Sequence, residues 1–175
     1  MTKQKRNVRI LALAPSSRGF GFAVLEENAL IDWGTRSVGT DDKNAESLKK
    51  IGPLRETYKP NQLVLFDTNA PGARRAQRIR LLTQEIVDLA RRQRIPTRLY
   101  ARDQVAKAIA GRASSKKYEI AQMLADIFPE GLKHRLPKKR RPWQSEDPRM
   151  DIFDAVALAL AFQIRRRLAK SRSKD

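Results

Sequence analysis

Three aspartates, Asp67, Asp151 and Asp154, are candidates for one site. Asp151 and Asp154 lie three residues apart in Asp151-Ile152-Phe153-Asp154-Ala155-Val156-Ala157-Leu158-Ala159. That segment has helical character, and residues three apart share a helix face. Asp67 ends the apolar run Leu63-Val64-Leu65-Phe66. Like charges on one face repel unless a cation lies between them. Carboxylate oxygens are the ligands that hard cations such as Mg2+ or Mn2+ accept. Two such ions held between carboxylates activate water and stabilise a leaving oxygen in an in-line phosphoryl displacement. The ordinary alternatives are first-turn acids favoured by the helix macrodipole and, for Asp67-Thr68-Asn69-Ala70-Pro71-Gly72, an aspartate bonded to its own turn. Asp147-Pro148 already offers a cap and a proline for the first helical position. A cap role for both later acids is then redundant, which favours metal or phosphate.

The pattern around these residues says how they are carried. Val8 to Leu13 reads as a buried strand, Gly19 to Leu25 as a second strand and Leu30 to Val38 as a third. Short turns at Pro15-Ser16-Ser17 and Glu26-Glu27-Asn28 make these an antiparallel meander. The period then changes: Asn44 to Tyr58 is helical, and Leu63 to Phe66 reads as a strand covered on both faces. Arg74 to Arg94 is a long amphipathic helix, and Thr97 to Tyr100 a short strand. Helices follow at Arg102 to Ala110, at Ser115 to Phe128 with a serine cap, and at Pro148 to Leu168. The order predicts an α/β fold with a mixed five-stranded sheet and helices on both faces. Residues 1–7 and 169–175 read as basic tails around one domain, 8–168. Trp33 and Tyr58 are expected in the core.

Taken in order, these segments resemble the RuvC-type Holliday-junction resolvases, nucleases of the ribonuclease-H-like superfamily. The strand Arg9 to Leu13 running into Ala14-Pro15-Ser16-Ser17-Arg18, the strand ending on Asp67, and Asp151-x-x-Asp154-Ala155-x-Ala157-x-Ala159 carry the likeness. So does Tyr100 to Lys116, similar to the family's strand, short helix, glycine turn and basic helix start along the DNA cleft. The resemblance implies Asp67, Asp151 and Asp154 as metal-binding catalytic residues and a homodimer as the assembly. Lys107, Arg112, Lys116 and Lys117 would be phosphate contacts. The first catalytic aspartate of the family falls where this chain has Ala14, and a methyl group ligates nothing. The chain reads as a Mg2+-dependent structure-selective endonuclease with an altered, weakly binding metal site, in which another acid (Glu26, Glu146 or Asp147) substitutes; the alternative is a protein that binds DNA without cutting it. The loop after Asp67 also lacks the aromatic with which junction resolvases part the strands.

Charge supports the same partner. The chain has 37 Lys+Arg against 19 Asp+Glu, a formal net charge of +18. Such an excess favours a polyanion, through release of counterions from phosphates. Part of it lies in the terminal segments, Lys3, Lys5 and Arg6 and Arg165 to Lys174. The internal run Lys133 to Trp143 places Lys138, Lys139, Arg140 and Arg141 beside an aromatic, and Trp143 is a candidate for base stacking. Ser114 and Ser115 with free amides at a helix start add a phosphate-friendly point. His134 reads as a solvated side chain. The longest apolar run, Ala155 to Phe162, is too short to span a bilayer. No segment has the lipid-seeking face of a surface helix. Absence of cysteine suits a cytoplasmic setting. A basic RNA-binding protein with incidental acids would leave the order of the three aspartates unexplained.

Overall fold

Alternation along the two central strands decides which helices lie where. In the computed structural model, which describes residues 7–39 and 41–173, β1 spans Arg9–Ser16 and β2 spans Gly19–Glu26. Ile10, Ala12 and Ala14 of β1, with Ala23 and Leu25 of β2, enter one buried cluster, while Leu11, Leu13, Phe22 and Val24 enter another. Side chains alternate across a strand, so each face of the sheet acquires its own core.

The remaining elements are β3 (Ala29–Ser37), α1 (Lys43–Tyr58), β4 (Gln62–Phe66), α2 (Gln77–Arg92), β5 (Thr97–Tyr100), α3 (Arg102–Ala110), α4 (Lys117–Ile127), the single turn α5 (Pro129–Leu132) and α6 (Met150–Arg172). The sheet order is β3-β2-β1-β4-β5. β1 pairs antiparallel with β2 and parallel with β4, and β4 is parallel to β5. This is the mixed five-stranded α/β sheet expected. Helices α1 and α2 supply Ile51, Leu54, Leu82 and Ile86 to one face. Helices α3, α4 and α6 supply Val105, Leu124, Phe153 and Val156 to the other.

Small residues let α6 sit close to the sheet. Ala14 pairs in register with Gly21, and a Cβ on Gly21 would lie 2.0 Å from the carbonyl oxygen of Asp151. Only a residue without a side chain admits the start of α6 at that height.

Several boundaries differ from the sequence reading, each for a local reason. Helix α4 begins at Lys117 without a serine cap; the Lys116 N–H instead donates to Glu119 Oε2 at 3.0 Å. Helix α6 begins at Met150, because Asp147 and Pro148 form a preceding turn in which Met150 N–H donates to Asp147 O at 2.9 Å. It runs on to Arg172, so residues 169–172 are helical rather than tail. Helix α2 begins at Gln77, not Arg74. Residues 1–6 of the expected basic tail, with Lys3, Lys5 and Arg6, and residues 174–175 lie outside the described residues. Trp33 is half-buried, its ring against Gly131. Tyr58 is half-buried too, and its hydroxyl donates to Asp32 Oδ2.

Candidate carboxylate site and nucleic-acid surface

The start of α6 meets the C-terminal ends of the parallel strands, and acids gather there. One carboxylate oxygen from each of Glu146, Asp151 and Asp154 lies within 4.8 Å of the others. Asp151 and Asp154 come together through the i,i+3 spacing, and both are buried. Glu146 comes from the irregular segment before α6. Asp67 is not a member of this group: its Oδ1 accepts the Asn69 N–H at 2.9 Å, an Asx-type turn bond. Of the three acids considered as substitutes at Ala14, only Glu146 joins the cluster. Glu26 pairs with Arg9 at 2.8 Å, at the end of β1 away from Ala14, and Asp147 pairs with Arg149 at 2.7 Å.

The cluster's charge is met by the protein's own cations. Arg102, from the first turn of α3, approaches both oxygens of Asp154 with two nitrogens, at 3.3 and 3.1 Å. Lys117, from the start of α4, places Nζ 2.9 Å from Asp154 Oδ2 and also donates to Glu146 Oε1. Ser16, at the end of β1, donates its hydroxyl to Asp151 Oδ2 at 2.6 Å. Arg78 holds that strand end in place through a 2.8 Å bond to the Ser16 carbonyl. Arg102 also stacks over Phe66 at 4.4 Å, with Arg75 over the same ring at 5.9 Å.

These partners pull the two buried aspartates apart in acidity. Burial is the largest influence on Asp154 and would push it up, but Lys117 and then Arg102 outweigh it and hold its carboxyl below the usual range. Burial also dominates at Asp151. There it is opposed by the Ser16 hydroxyl and reinforced by the charge of Asp154, and the Asp151 carboxyl is pushed up. A carboxyl raised in the folded state contributes stability below its unfolded value and loses it as pH rises through the folded value. Asp151→Asn removes that loss. The variant should unfold at a higher temperature than the parent at pH 7, and the gap should close as the pH is lowered towards 4, by melting curves at both values.

Divalent ions fit this donor set poorly. Ala14 is 3 % exposed and packed in the core, and its methyl group offers no ligand. Both oxygens of Asp154, one of Glu146 and one of Asp151 already accept from protein donors. As arranged, these oxygens face the protein's own donors. Three carboxylates could hold one ion only if Lys117 withdrew.

The sequence-expected DNA contacts divide into two groups. Lys107, Arg112, Ser114, Lys116, Lys138, Lys139, Arg140 and Arg141 are all exposed. Trp143 is 75 % exposed, and Arg141 lies over its ring at 5.5 Å. Lys117 is directed inward to the acids. Sequence reasoning did not single out Arg102, Arg75 or Ser16. A serine at the end of the first strand was the available signal, whereas nothing in local pattern marks Arg102 as turned onto buried acids.

No protein-family model matches the chain, and no curated protein matches it either. Solved structures do. Thermus thermophilus RuvC superposes with a TM-score of 0.66 at 17 % identity, over 92 % of this chain and 96 % of that one. The fold is that of RuvC. A structure of T. thermophilus RuvC in complex with a Holliday junction substrate gives 0.65 at 18 % identity, over 93 % and 96 %. The yeast mitochondrial Holliday junction resolvase Ydc2 gives 0.65 at 13 %, over 94 % and 81 %. Among the described residues, no helix is long and apolar enough to cross a membrane.

Proposed function

We propose that the chain binds branched duplex DNA on a RuvC-type fold without hydrolysing it, its carboxylate site neutralised by Lys117 and Arg102 in place of metal ions. The observation that carries this reading is the Lys117 ammonium between Glu146 and Asp154, with Arg102 forked onto Asp154 and a methyl group at Ala14. In that state the acids keep the junction-facing end of the sheet folded and close to neutral, so phosphates are not repelled from it. The exposed cations Lys107, Arg112, Lys116 and Lys138 to Arg141 contact the backbone, and Trp143 offers a stacking surface. A homodimer, presenting two such surfaces, suits a four-armed substrate.

A second reading is supported by the three-carboxylate group itself: a weak Holliday-junction-type endonuclease holding one Mg2+ or Mn2+ on Glu146, Asp151 and Asp154, serving DNA recombination or repair. A binding and nicking assay on four-way junctions, forks and linear duplex, in Mg2+ and in Mn2+, separates the two. The non-cleaving reading expects junction binding that weakens steeply with salt and no nicks. Nicks that Asp154→Ala abolishes would establish the endonuclease. Binding indifferent to salt would remove the phosphate surface altogether.

A further inference from the structure

We infer that a basic groove between β5, α3 and the C-terminal part of α6 is a second DNA surface, holding the phosphate backbone of a duplex arm that leaves the carboxylate site. The inference rests on the reading of the chain as a branched-DNA binder and says where an arm runs. The groove is open, about 840 Å³, and receives Arg98 from β5, Lys107 from α3, and Arg165, Arg166, Lys170 and Arg172 from α6. No aspartate or glutamate lines it. Among the described residues, none of these six cations has a carboxylate within 4.0 Å.

A basic last turn alone would be ordinary, since Lys170 and Arg172 complement the negative end of the α6 macrodipole. That does not account for Arg98 and Lys107, which reach the same groove from other elements. Nor does it account for Arg165, fixed over the Tyr100 ring at 5.2 Å. Six cations gathered without counter-charge repel one another, and a polyanion relieves that repulsion. An arm can reach the groove from the carboxylate site. Helix α3 carries Arg102 into that site and, five residues on, Lys107 into the groove, a rise of about 7.5 Å. Along α6 the distance from Asp154 to Arg172 is about 27 Å at the helical rise, roughly eight base pairs at 3.4 Å per step.

The test compares junctions with arms of about twenty base pairs and arms of about four, either side of that reach. The proteins are the parent, Lys170→Gln/Arg172→Gln, and Arg98→Gln/Arg166→Gln, which pairs the β5 side of the groove with α6. All three are first checked for unchanged melting. Each double variant should bind long-armed junctions about tenfold or more weaker, with a salt slope lower by roughly two. Its affinity for short-armed junctions should equal the parent's. Parent-like affinity and slope of both variants on long arms would overturn the groove. Failure of the parent to bind any of the DNAs would instead overturn the branched-DNA reading, and the groove with it. Phosphatidylserine vesicles bound by the parent but not by the variants, with junction binding unaltered, would overturn it in favour of an anionic membrane surface.

Discussion

Lys117→Ala is expected to destabilise the fold by about 3–5 kcal/mol, the usual cost of removing one member of a desolvated ion pair. Asp154 is 8 % exposed, and Lys117 is the strongest of the influences that keep it ionised there. Arg102 remains in the variant, but Glu146 loses its ammonium and sits within 4.8 Å of two other carboxylates. The signature lies in pH as much as in magnitude. In the parent, Asp154 is held below its unfolded value, so its contribution is present above about pH 4 and disappears as pH falls through the lowered folded value. Without Lys117 only Arg102 opposes burial at Asp154, so the variant's stability deficit should be largest at neutral pH and shrink on acidification. Urea unfolding at pH 7 and pH 4 measures both effects. A double variant, Lys117→Ala/Asp154→Asn, should recover part of the loss, since no uncompensated charge remains at position 154. A deficit equal at both pH values would show that Lys117 acts by packing alone.

Gly21→Ala should be about as damaging, for a steric reason. The added methyl would meet the Asp151 carbonyl oxygen at 2.0 Å and its carbonyl carbon at 2.4 Å. These are backbone atoms in the first turn of α6, so no side-chain rotation relieves the contact. The helix start must lift from β2, and about 3 kcal/mol or more of destabilisation is expected, at the upper end of overpacking costs. The lift also exposes Asp151, relieving the burial that raises its carboxyl. Chemical denaturation gives the loss, and the variant should no longer show the fall in stability that Asp151 causes as pH rises. Gly39, whose Cβ would meet nothing within 4 Å, makes the control: Gly39→Ala should leave stability within about 1 kcal/mol or raise it.

How much of this was legible in the sequence depends on how local each signal is. Alternation in Ile10 to Leu13 and Phe20 to Leu25 marked two-faced strands, and the short turns between them left few topologies. Asp151 and Asp154 were legible because helical spacing alone puts them side by side. Glu146 was not: it reaches the cluster through an irregular segment whose path no period encodes. Its claim looked no better than that of Glu26 or Asp147, each of which has an arginine of its own. Asp67 was expected in the cluster from its place after a central strand, and a local turn bond claims it. Lys117 shows the opposite failure. A basic residue at a helix start suggests phosphate contact, and only the buried acids at the sheet end explain why this one is directed inward.

Whether protein cations or metal ions balance the three acids is answered most directly by titrating the unaltered protein with Mn2+ and following the free-ion electron paramagnetic resonance signal at pH 7. With Lys117 and Arg102 neutralising the site, the Mn2+ signal should remain that of the free ion up to millimolar concentration. It should fall only when Ala14→Asp and Lys117→Ala are combined to supply a ligand and vacate the ammonium. A stoichiometric loss of signal in the unaltered protein, abolished by Asp154→Asn, would contradict the account and make the site a metal centre.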